Sequence, residues 1–239
     1  MTRDEPADEL PKVTLAFLRR VEELCPRRVA YEHHNRRGNR TAPARWRVAN
    51  QLVDHARVAH IELGPPSPVA FTPLPGLVPE EQRVYETAAQ SYLRLFEGRA
   101  VRAVDVDEWE TPVPELGIRL VGPAGLPVED ADGHAELRLL RIGGADPDAA
   151  DPLGPAETRF ALLRRAEWLA GRSVRVVHAD LLYGTLVEHE VAPDVVAAEL
   201  RPWLRDRVEA LRARVTRPVA RPSLECGRCR FVAGCAAHG

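Results

Sequence analysis

The segment AVRAVDVDEWETPVPELGIRLVGPAGLPVEDADGHAELRLLRIGG (100–144) decides the fold class. Its pattern of apolar and polar residues predicts strands at 100–109, 117–122 and 135–144, separated by turns rich in Gly, Pro and Asp. A sheet of this kind needs a layer of helices to cover its apolar face. The segment therefore predicts the central sheet of a mixed α/β domain.

Helices are predicted on both sides of this segment. Apolar spacing indicates helices at 13–25, 46–61, 79–98, 157–171 and 193–215, the last despite Pro202. Residues 173–184 and 185–191 predict a hairpin that turns near Gly184. The order of helices, strands, helix, strands and helix favours an α/β fold, with one central sheet flanked by helices in a single domain, 1–239.

Composition excludes several classes of protein. The chain has 239 residues, of which 45% are hydrophobic and 28% charged, so it is predicted to be globular and to bury a core without disulfides. It contains no run of about 18 apolar residues that could span a membrane. The polar start MTRDEPADELPK lacks the apolar region of a secretory signal. We therefore expect a cytoplasmic protein with no membrane partner.

Basic charge is concentrated in two parts of the chain. Residues 1–60 and 201–239 carry more basic than acidic side chains, whereas residues 101–158 carry mostly acidic ones. Basic blocks of this kind can attract a polyanion such as nucleic acid. The alternative interpretation is that these charged side chains only form a solvated surface. Lys12 is the only lysine, so any mechanism that needs a lysine has one candidate.

The four cysteines are the strongest chemical signal. Cys226, Cys229 and Cys235 lie in the stretch CGRCRFVAGC, and Cys25 is the only other cysteine. Clustered cysteines of a cytosolic protein more often bind metal or do redox chemistry than form disulfides. Four thiolates complete a zinc site or hold an iron–sulfur cluster, and the spacing leaves both open. Either would close a loop of about 200 residues, so its loss should destabilise the whole domain.

Two motifs, CPRRVAYEH (25–33) and PSLECGRCRFVAGC (222–235), give the chain a family resemblance. Together with the order of elements between them, they resemble the iron–sulfur subgroup of RecB-type PD-(D/E)XK nucleases. That subgroup includes the CRISPR-associated exonucleases and the nuclease domain of AddB-type helicase–nucleases. The resemblance covers most of residues 13–236.

The resemblance implies a fold and a cofactor. The fold would be a restriction-endonuclease-like central mixed sheet flanked by helices, closed by a 4Fe–4S cluster that joins the N-terminal and C-terminal segments. The cluster ligands would be Cys25, Cys226, Cys229 and Cys235. The chain would consist of an N-terminal helical segment with the first cysteine (13–63), a nuclease-like core (79–215) and a cysteine-rich segment (216–239).

The catalytic positions of the family are degenerate in this chain. The family holds Mg²⁺ or Mn²⁺ with an acid in one strand and with an acid and a lysine in the next. GPAGLPVE (122–129) places Gly125 at the first acid, and a shifted alignment places Arg119 there instead. ELRLLRIGG (136–144) places Leu139 and Arg141 at the other two positions. These residues offer no oxygen ligand, and arginine is not a general base near neutral pH, so no catalytic Mg²⁺ or Mn²⁺ is expected.

Two acidic groups offer other interpretations. A relocated metal site could use Asp105, Asp107, Glu108 and Glu110, although such a run is more often the solvated face of an edge strand. The acids Glu129, Asp130 and Asp132 predict a hairpin turn instead.

A nucleic-acid surface is predicted beside the cysteines. A shared cluster would bring residues 25–40 next to the C-terminal segment. The resulting positive surface would bind phosphates with a steep dependence on salt. Its candidate residues are Arg27, Arg28, Arg36, Arg37, Arg40, Arg228 and Arg230.

The sequence thus predicts a catalytically inactive RecB-like iron–sulfur module. It would bind single-stranded DNA or a duplex end, or dock onto a helicase or another repair, recombination or defence protein. The first alternative is an active metal-dependent DNA exonuclease with relocated ligands. The second is a protein-interaction module without affinity for nucleic acid.

Overall fold

The computed structural model describes residues 10–23, 25, 44–72, 76–104, 110–143, 153–216, 226–227, 229 and 235. The strands are β1 (Lys12–Thr14), β2 (Val101–Ala103), β3 (Glu110–Val113), β4 (Ile118–Val121), β5 (Leu126–Asp130), β6 (Ala135–Arg141), β7 (Val174–Asp180) and β8 (Thr185–Val191). The α-helices are α1 (Leu15–Glu23), α2 (Ala44–Ala59), α3 (Pro79–Leu95), α4 (Ala156–Arg164) and α5 (Arg201–Thr216). Short 3₁₀ helices span Pro68–Ala70 and Pro114–Leu116, and a π-helix spans Val196–Leu200.

The chain divides into two compact units, each assembled from separate stretches of sequence. Unit 1 comprises residues 1–40, 109–122 and 197–239, and unit 2 comprises residues 41–108 and 123–196. Each unit contains its own mixed sheet. The mixed α/β class is confirmed, but the expectation of one central sheet is wrong, because β4 pairs with β1 and β3 rather than with β5 or β6.

Unit 1 contains a three-stranded sheet in the order β1–β4–β3. Strand β1 runs parallel to β4, with Val13 opposite Leu120, and β3 runs antiparallel to β4. Helix α1 packs against α5. The buried residues of α5, Leu204, Val208 and Leu211, follow the spacing of an amphipathic helix with one apolar stripe.

Both helices of unit 1 begin later than predicted. Val13 and Thr14 belong to β1 because they pair with β4, and the Thr14 hydroxyl accepts the Phe17 amide at 3.3 Å, which caps α1. The helix predicted at 193–215 is a π-helix over Val196–Leu200 and an α-helix from Arg201. Pro202, which has no amide hydrogen to donate, lies just after the π-helix.

Unit 2 contains a five-stranded sheet in the order β2–β5–β6–β7–β8. Strands β6 and β7 are parallel and are connected through α4, whereas the other neighbouring pairs are antiparallel. The hairpin of β7 and β8 is confirmed, and Gly184 adopts a φ of 63° in its turn. The predicted turn after Glu129 is the β5–β6 connection.

Helices α2 and α3 pack against one face of this sheet. Their buried side chains and those of the strands form one apolar core, which includes Leu52, Ala56, Tyr85, Ala89, Tyr92, Phe96, Leu126, Val128, Leu140 and Val177. Helix α3 begins at Pro79, as predicted, and the Glu81 carboxylate accepts the Val78 amide at 3.2 Å. Among the described helices, none is both long enough and apolar enough to cross a bilayer.

Candidate functional site

All four cysteines fall in unit 1. Cys25 follows α1 after one further residue, and Cys226, Cys229 and Cys235 follow α5. None of the four forms a disulfide, and each is of intermediate exposure. The Cys229 amide donates to the Cys226 carbonyl at 3.0 Å, so the first two cysteines of the C-terminal group flank a tight turn. Four soft sulfur donors without disulfides are a set that suits iron or zinc.

The arginines predicted to contact nucleic acid lie outside the described residues. This applies to Arg27, Arg28, Arg36, Arg37, Arg40, Arg228 and Arg230. Of the acids considered for a relocated metal site, Asp105, Asp107 and Glu108 also lie outside them.

Glu110, the remaining acid of that group, is already paired. Its carboxylate contacts Lys12 Nζ at 2.7 Å and Arg119 Nη1 at 2.8 Å. These two cations hold the pKa of Glu110 below its ordinary value. Two full positive charges at the carboxylate leave it a poor ligand for a hard cation. The same contacts show that Arg119 belongs to the sheet of unit 1.

Gly125 and Leu139 meet in unit 2. A Cβ atom at Gly125 would lie 2.9 Å from Leu139 Cδ2 and 2.9 Å from the Arg138 carbonyl oxygen, and the φ of Gly125 is +70°. Leu139 is only 4% exposed, so its side chain fills this space. The alignment through Gly125 thus brings the first two degenerate positions into contact, whereas the alignment through Arg119 puts them in different sheets. An acid restored at residue 125 would need the neighbouring backbone to move.

Arg141 lies on the same face of β6 as Leu139, because side chains two residues apart on a strand point the same way. Its Nη2 contacts Glu157 Oε2 of α4 at 3.0 Å. The third degenerate position is therefore an arginine that forms an ion pair with Glu157. Asp180, a buried carboxylate, pairs with Arg141 from the adjacent strand β7, and its Oδ1 accepts the amides of Gly143, Leu182 and Tyr183.

His178 is a neighbour of Arg141 that the sequence did not single out. Its Nε2 lies 3.4 Å from the Thr158 hydroxyl, and its ring centroid lies 6.1 Å from that of His189. Burial, the Arg141 charge and His189 lower the pKa of His178 to about 4. The imidazole is therefore neutral near pH 7. The pairing register of β6 and β7, had it been known, would have indicated this residue, because His178 pairs with Leu139 across these parallel strands.

The opposite face of β6 contains a buried polar cluster. Arg138 is fully buried, and its Nε donates to Glu136 Oε1 at 2.6 Å. Its Nη1 donates to Tyr92 Oη at 2.7 Å and lies 2.9 Å from His60 Nε2. The guanidinium also lies 3.9 Å from the centroid of the Phe96 ring. Burial and the Arg138 charge lower the pKa of His60 to about 4, so His60 is neutral and its unprotonated Nε2 can accept a hydrogen bond from Arg138 Nη1.

The turn between β5 and β6 brings three further polar groups together. The ligand atoms of Asp130, Asp132 and His134 lie within 4.8 Å of one another. Asp130 Oδ1 accepts the amides of Asp132 and His134 at 2.9 Å each, and its Oδ2 contacts His134 Nδ1 at 2.9 Å. The Asp130 carboxylate therefore closes the turn, as its place in the sequence predicts.

Architecture and site together define a mixed α/β protein with two mixed sheets flanked by helices and four cysteines that form no disulfide. No protein-family model matches the chain, and no match was found among curated proteins. Among solved structures, the chain is similar to a crystal structure of SSO0001, with 14% sequence identity and a TM-score of 0.36. That alignment covers 98% of this chain and 89% of the other. The likeness is too remote to assign a family.

Proposed function

We propose that this chain is a catalytically inactive, RecB-like iron–sulfur protein of the cytoplasm. It would bind DNA, or dock onto a helicase or another protein of repair, recombination or defence. One observation carries the proposal: four cysteines outside disulfides, the first separated from the others by about 200 residues, fall into one compact unit. The sequence motifs around those thiols are what resemble the family.

The family resemblance implies a 4Fe–4S cluster, which four thiolates can hold. Its ligands would be Cys25, Cys226, Cys229 and Cys235. A tetrahedral zinc site with the same four thiolates is the alternative. The cluster would supply a covalent tie between the segments that contain these residues.

The donor set at the nuclease-like face supports inactivity. Gly125 has no side chain, Leu139 is apolar, and Arg141 is paired with Glu157. A divalent ion that activates water needs several oxygen ligands in one place. Arg141 neutralises Glu157, and the buried Asp180, which pairs with Arg141 from the adjacent strand, accepts three backbone amides with one carboxylate oxygen.

Anaerobically purified protein is expected to contain about four iron atoms and four sulfides per chain, with broad absorbance near ~400 nm. Cys229→Ser should remove most of the iron, because one of four ligands is lost. Cys25→Ser should remove as much, because the proposal places both ends of the chain on one cluster. Iron and sulfide analysis with absorption spectra measures both effects.

The two cysteine variants make the test specific. Full iron content in Cys25→Ser alongside loss in Cys229→Ser would show that the C-terminal cysteines act without the N-terminal one, against the proposal. Colourless protein with about one zinc per chain would show that the four cysteines form a structural zinc site and not an iron–sulfur cluster.

The protein is expected to bind fluorescein-labelled DNA without cleaving it. Anisotropy should show affinity that falls steeply as NaCl rises from about 50 mM to about 200 mM, because phosphate contacts release counterions. Arg36→Ala/Arg37→Ala/Arg40→Ala should weaken binding, and Arg83→Ala on the exposed face of α3 serves as the control. Incubation with Mn²⁺ should leave single-stranded and duplex substrates intact.

Two results would contradict this proposal. Mn²⁺-dependent cleavage that Asp107→Ala abolishes would establish the active nuclease with relocated ligands. A flat anisotropy signal at the lowest salt concentration would favour a module that contacts only proteins.

A further inference from the structure

The two structural units carry opposite net charge. Unit 1 contains 19 basic and 13 acidic residues, a net charge of +6. Unit 2 contains 14 basic and 22 acidic residues, a net charge of −8. The net charge of the whole chain is only −2, but unit 1 attracts a polyanion and unit 2 repels it.

Helix α5 of unit 1 presents a ridge of arginines. With about 100° of rotation per residue, Arg201, Arg205 and Arg212 fall within roughly 40° of one another around the helix. All three are exposed, and they lie beside the buried stripe of α5, because Val208 is only about 20° from Arg201 around the helix. Along the axis they are separated by about 6 Å and about 10 Å. Glu209 is the acid beside the ridge, which leaves it net positive.

Nearby contacts hold two of these arginines in place. Arg201 Nη1 lies 3.8 Å from Glu115 Oε1, and Arg212 Nη2 donates to the Leu116 carbonyl. Both partners lie in the short 3₁₀ helix of unit 1. Glu115 is exposed and its contact with Arg201 is long, so the pair is weak and the guanidinium stays accessible to a phosphate.

The arginines of unit 2 lie in a different electrostatic setting. Arg99 contacts Glu136 and Glu188, and Arg175 contacts Glu136, Glu188 and Glu190. These arginines line an open cavity of about 360 Å³ whose wall also contains Asp130. Carboxylates outnumber arginines there, so a phosphate backbone is repelled.

We infer that DNA contacts unit 1 through the α5 ridge of Arg201, Arg205 and Arg212, and that the nuclease-like unit 2 makes no phosphate contact. This inference rests on the proposed DNA binding. It assigns the DNA contacts to the unit that contains the cysteines.

The test compares two triple variants of the full-length protein with equal change in charge. One is Arg201→Ala/Arg205→Ala/Arg212→Ala in unit 1. The other is Arg83→Ala/Arg94→Ala/Arg102→Ala, three exposed arginines of unit 2. The probe is a fluorescein-labelled single strand, and the readout is the slope of log K against log NaCl concentration, which is about −0.7 for each phosphate neutralised.

The unit 1 variant is expected to lose about tenfold or more in affinity and to reduce the slope by about 2, whereas the unit 2 variant keeps the wild-type slope. Replacing the same three α5 residues by lysine should retain the slope, because the charge remains. Circular dichroism should show native helix content in all variants, since exposed helical alanine is favourable.

Each other outcome overturns the inference. Equal losses in the two alanine variants would show that both units contact DNA, and would leave the proposed function in place. Loss in the lysine variant would mean that charge is not the cause. Wild-type protein without affinity for the strand at the lowest salt concentration would overturn the proposed DNA binding and this inference together.

Discussion

Replacement of Arg138 by alanine should lower the free energy of unfolding of the protein by about 4 kcal/mol. Arg138 is fully buried on the central strand of unit 2, where its guanidinium contacts Glu136, Tyr92 and His60 and covers the Phe96 ring. Removing it leaves a buried carboxylate without its shortest partner and opens a cavity under α3. Breaking a buried pair from one side costs about 3 to 5 kcal/mol.

The loss of unfolding free energy is not expected to be larger, because two other arginines remain close to the Glu136 carboxylate. Arg99 Nη1 lies 3.5 Å and Arg175 Nη1 3.8 Å from Glu136 Oε2. The double variant Glu136→Gln/Arg138→Met should therefore be more stable than the sum of the single losses predicts, because it removes both charges and fills the space. Urea denaturation followed by circular dichroism measures each free energy.

Arg83→Ala is the matched control for Arg138→Ala. Arg83 lies on α3 and is exposed, so its replacement should change stability by no more than about 0.5 kcal/mol. An Arg138→Ala variant as stable as this control would mean that the buried cluster contributes nothing to the fold of unit 2.

The protein should also lose stability steeply between pH 6.5 and about pH 4. Burial and a nearby arginine lower the pKa of both His60 and His178 from 6.5 to about 4. In this range the unfolded chain binds protons that the folded chain does not, so the stability present above pH 6.5 is lost as the pH falls. For fully buried His60 the loss reaches about 3 kcal/mol; for partly exposed His178 it is smaller.

His60→Gln separates this effect from general acid denaturation. The amide oxygen of glutamine still accepts a hydrogen bond from Arg138, but it does not titrate. The dependence of unfolding free energy on pH should become clearly shallower, although the variant is less stable at pH 7. His134→Gln serves as the control: contact with Asp130 raises the pKa of this exposed histidine, the opposite direction. An unchanged pH slope in His60→Gln would refute the assignment.

Local signals explain why some elements were predicted well. Helix α3 has Pro79, Glu80 and Glu81 in its first turn and Gly98 shortly after its end, so the residues that start and stop it lie within the segment itself. The β7–β8 hairpin is similar, because its turn and its alternating strands lie within residues 173–191. The β5–β6 turn also depends on one nearby side chain, Asp130.

Long-range pairing explains what was missed. Strand β1 has three residues, and Val13 matches a helical pattern until it pairs with Leu120, more than 100 residues later. The partners of Arg138 also come from distant parts of the sequence, because His60 follows α2 and Tyr92 lies on α3. The residue pattern of β6 alone does not indicate that these two side chains contact the Arg138 guanidinium. The contact between Gly125 and Leu139 depends on the β5–β6 hairpin, because Gly125 directly precedes β5 and Leu139 lies in β6.

The interleaving of the two units limits how this protein can be dissected. The chain passes from one unit to the other four times, and unit 1 needs β1, β3, β4 and α5 from three separate stretches. No single cut in the gene yields either unit as a continuous fragment. A truncation at either terminus removes a structural piece of the same unit. Isolating unit 2 would require deleting residues 109–122 and bridging the gap with a designed linker, and expressing unit 1 would require a circular permutation or a spliced gene.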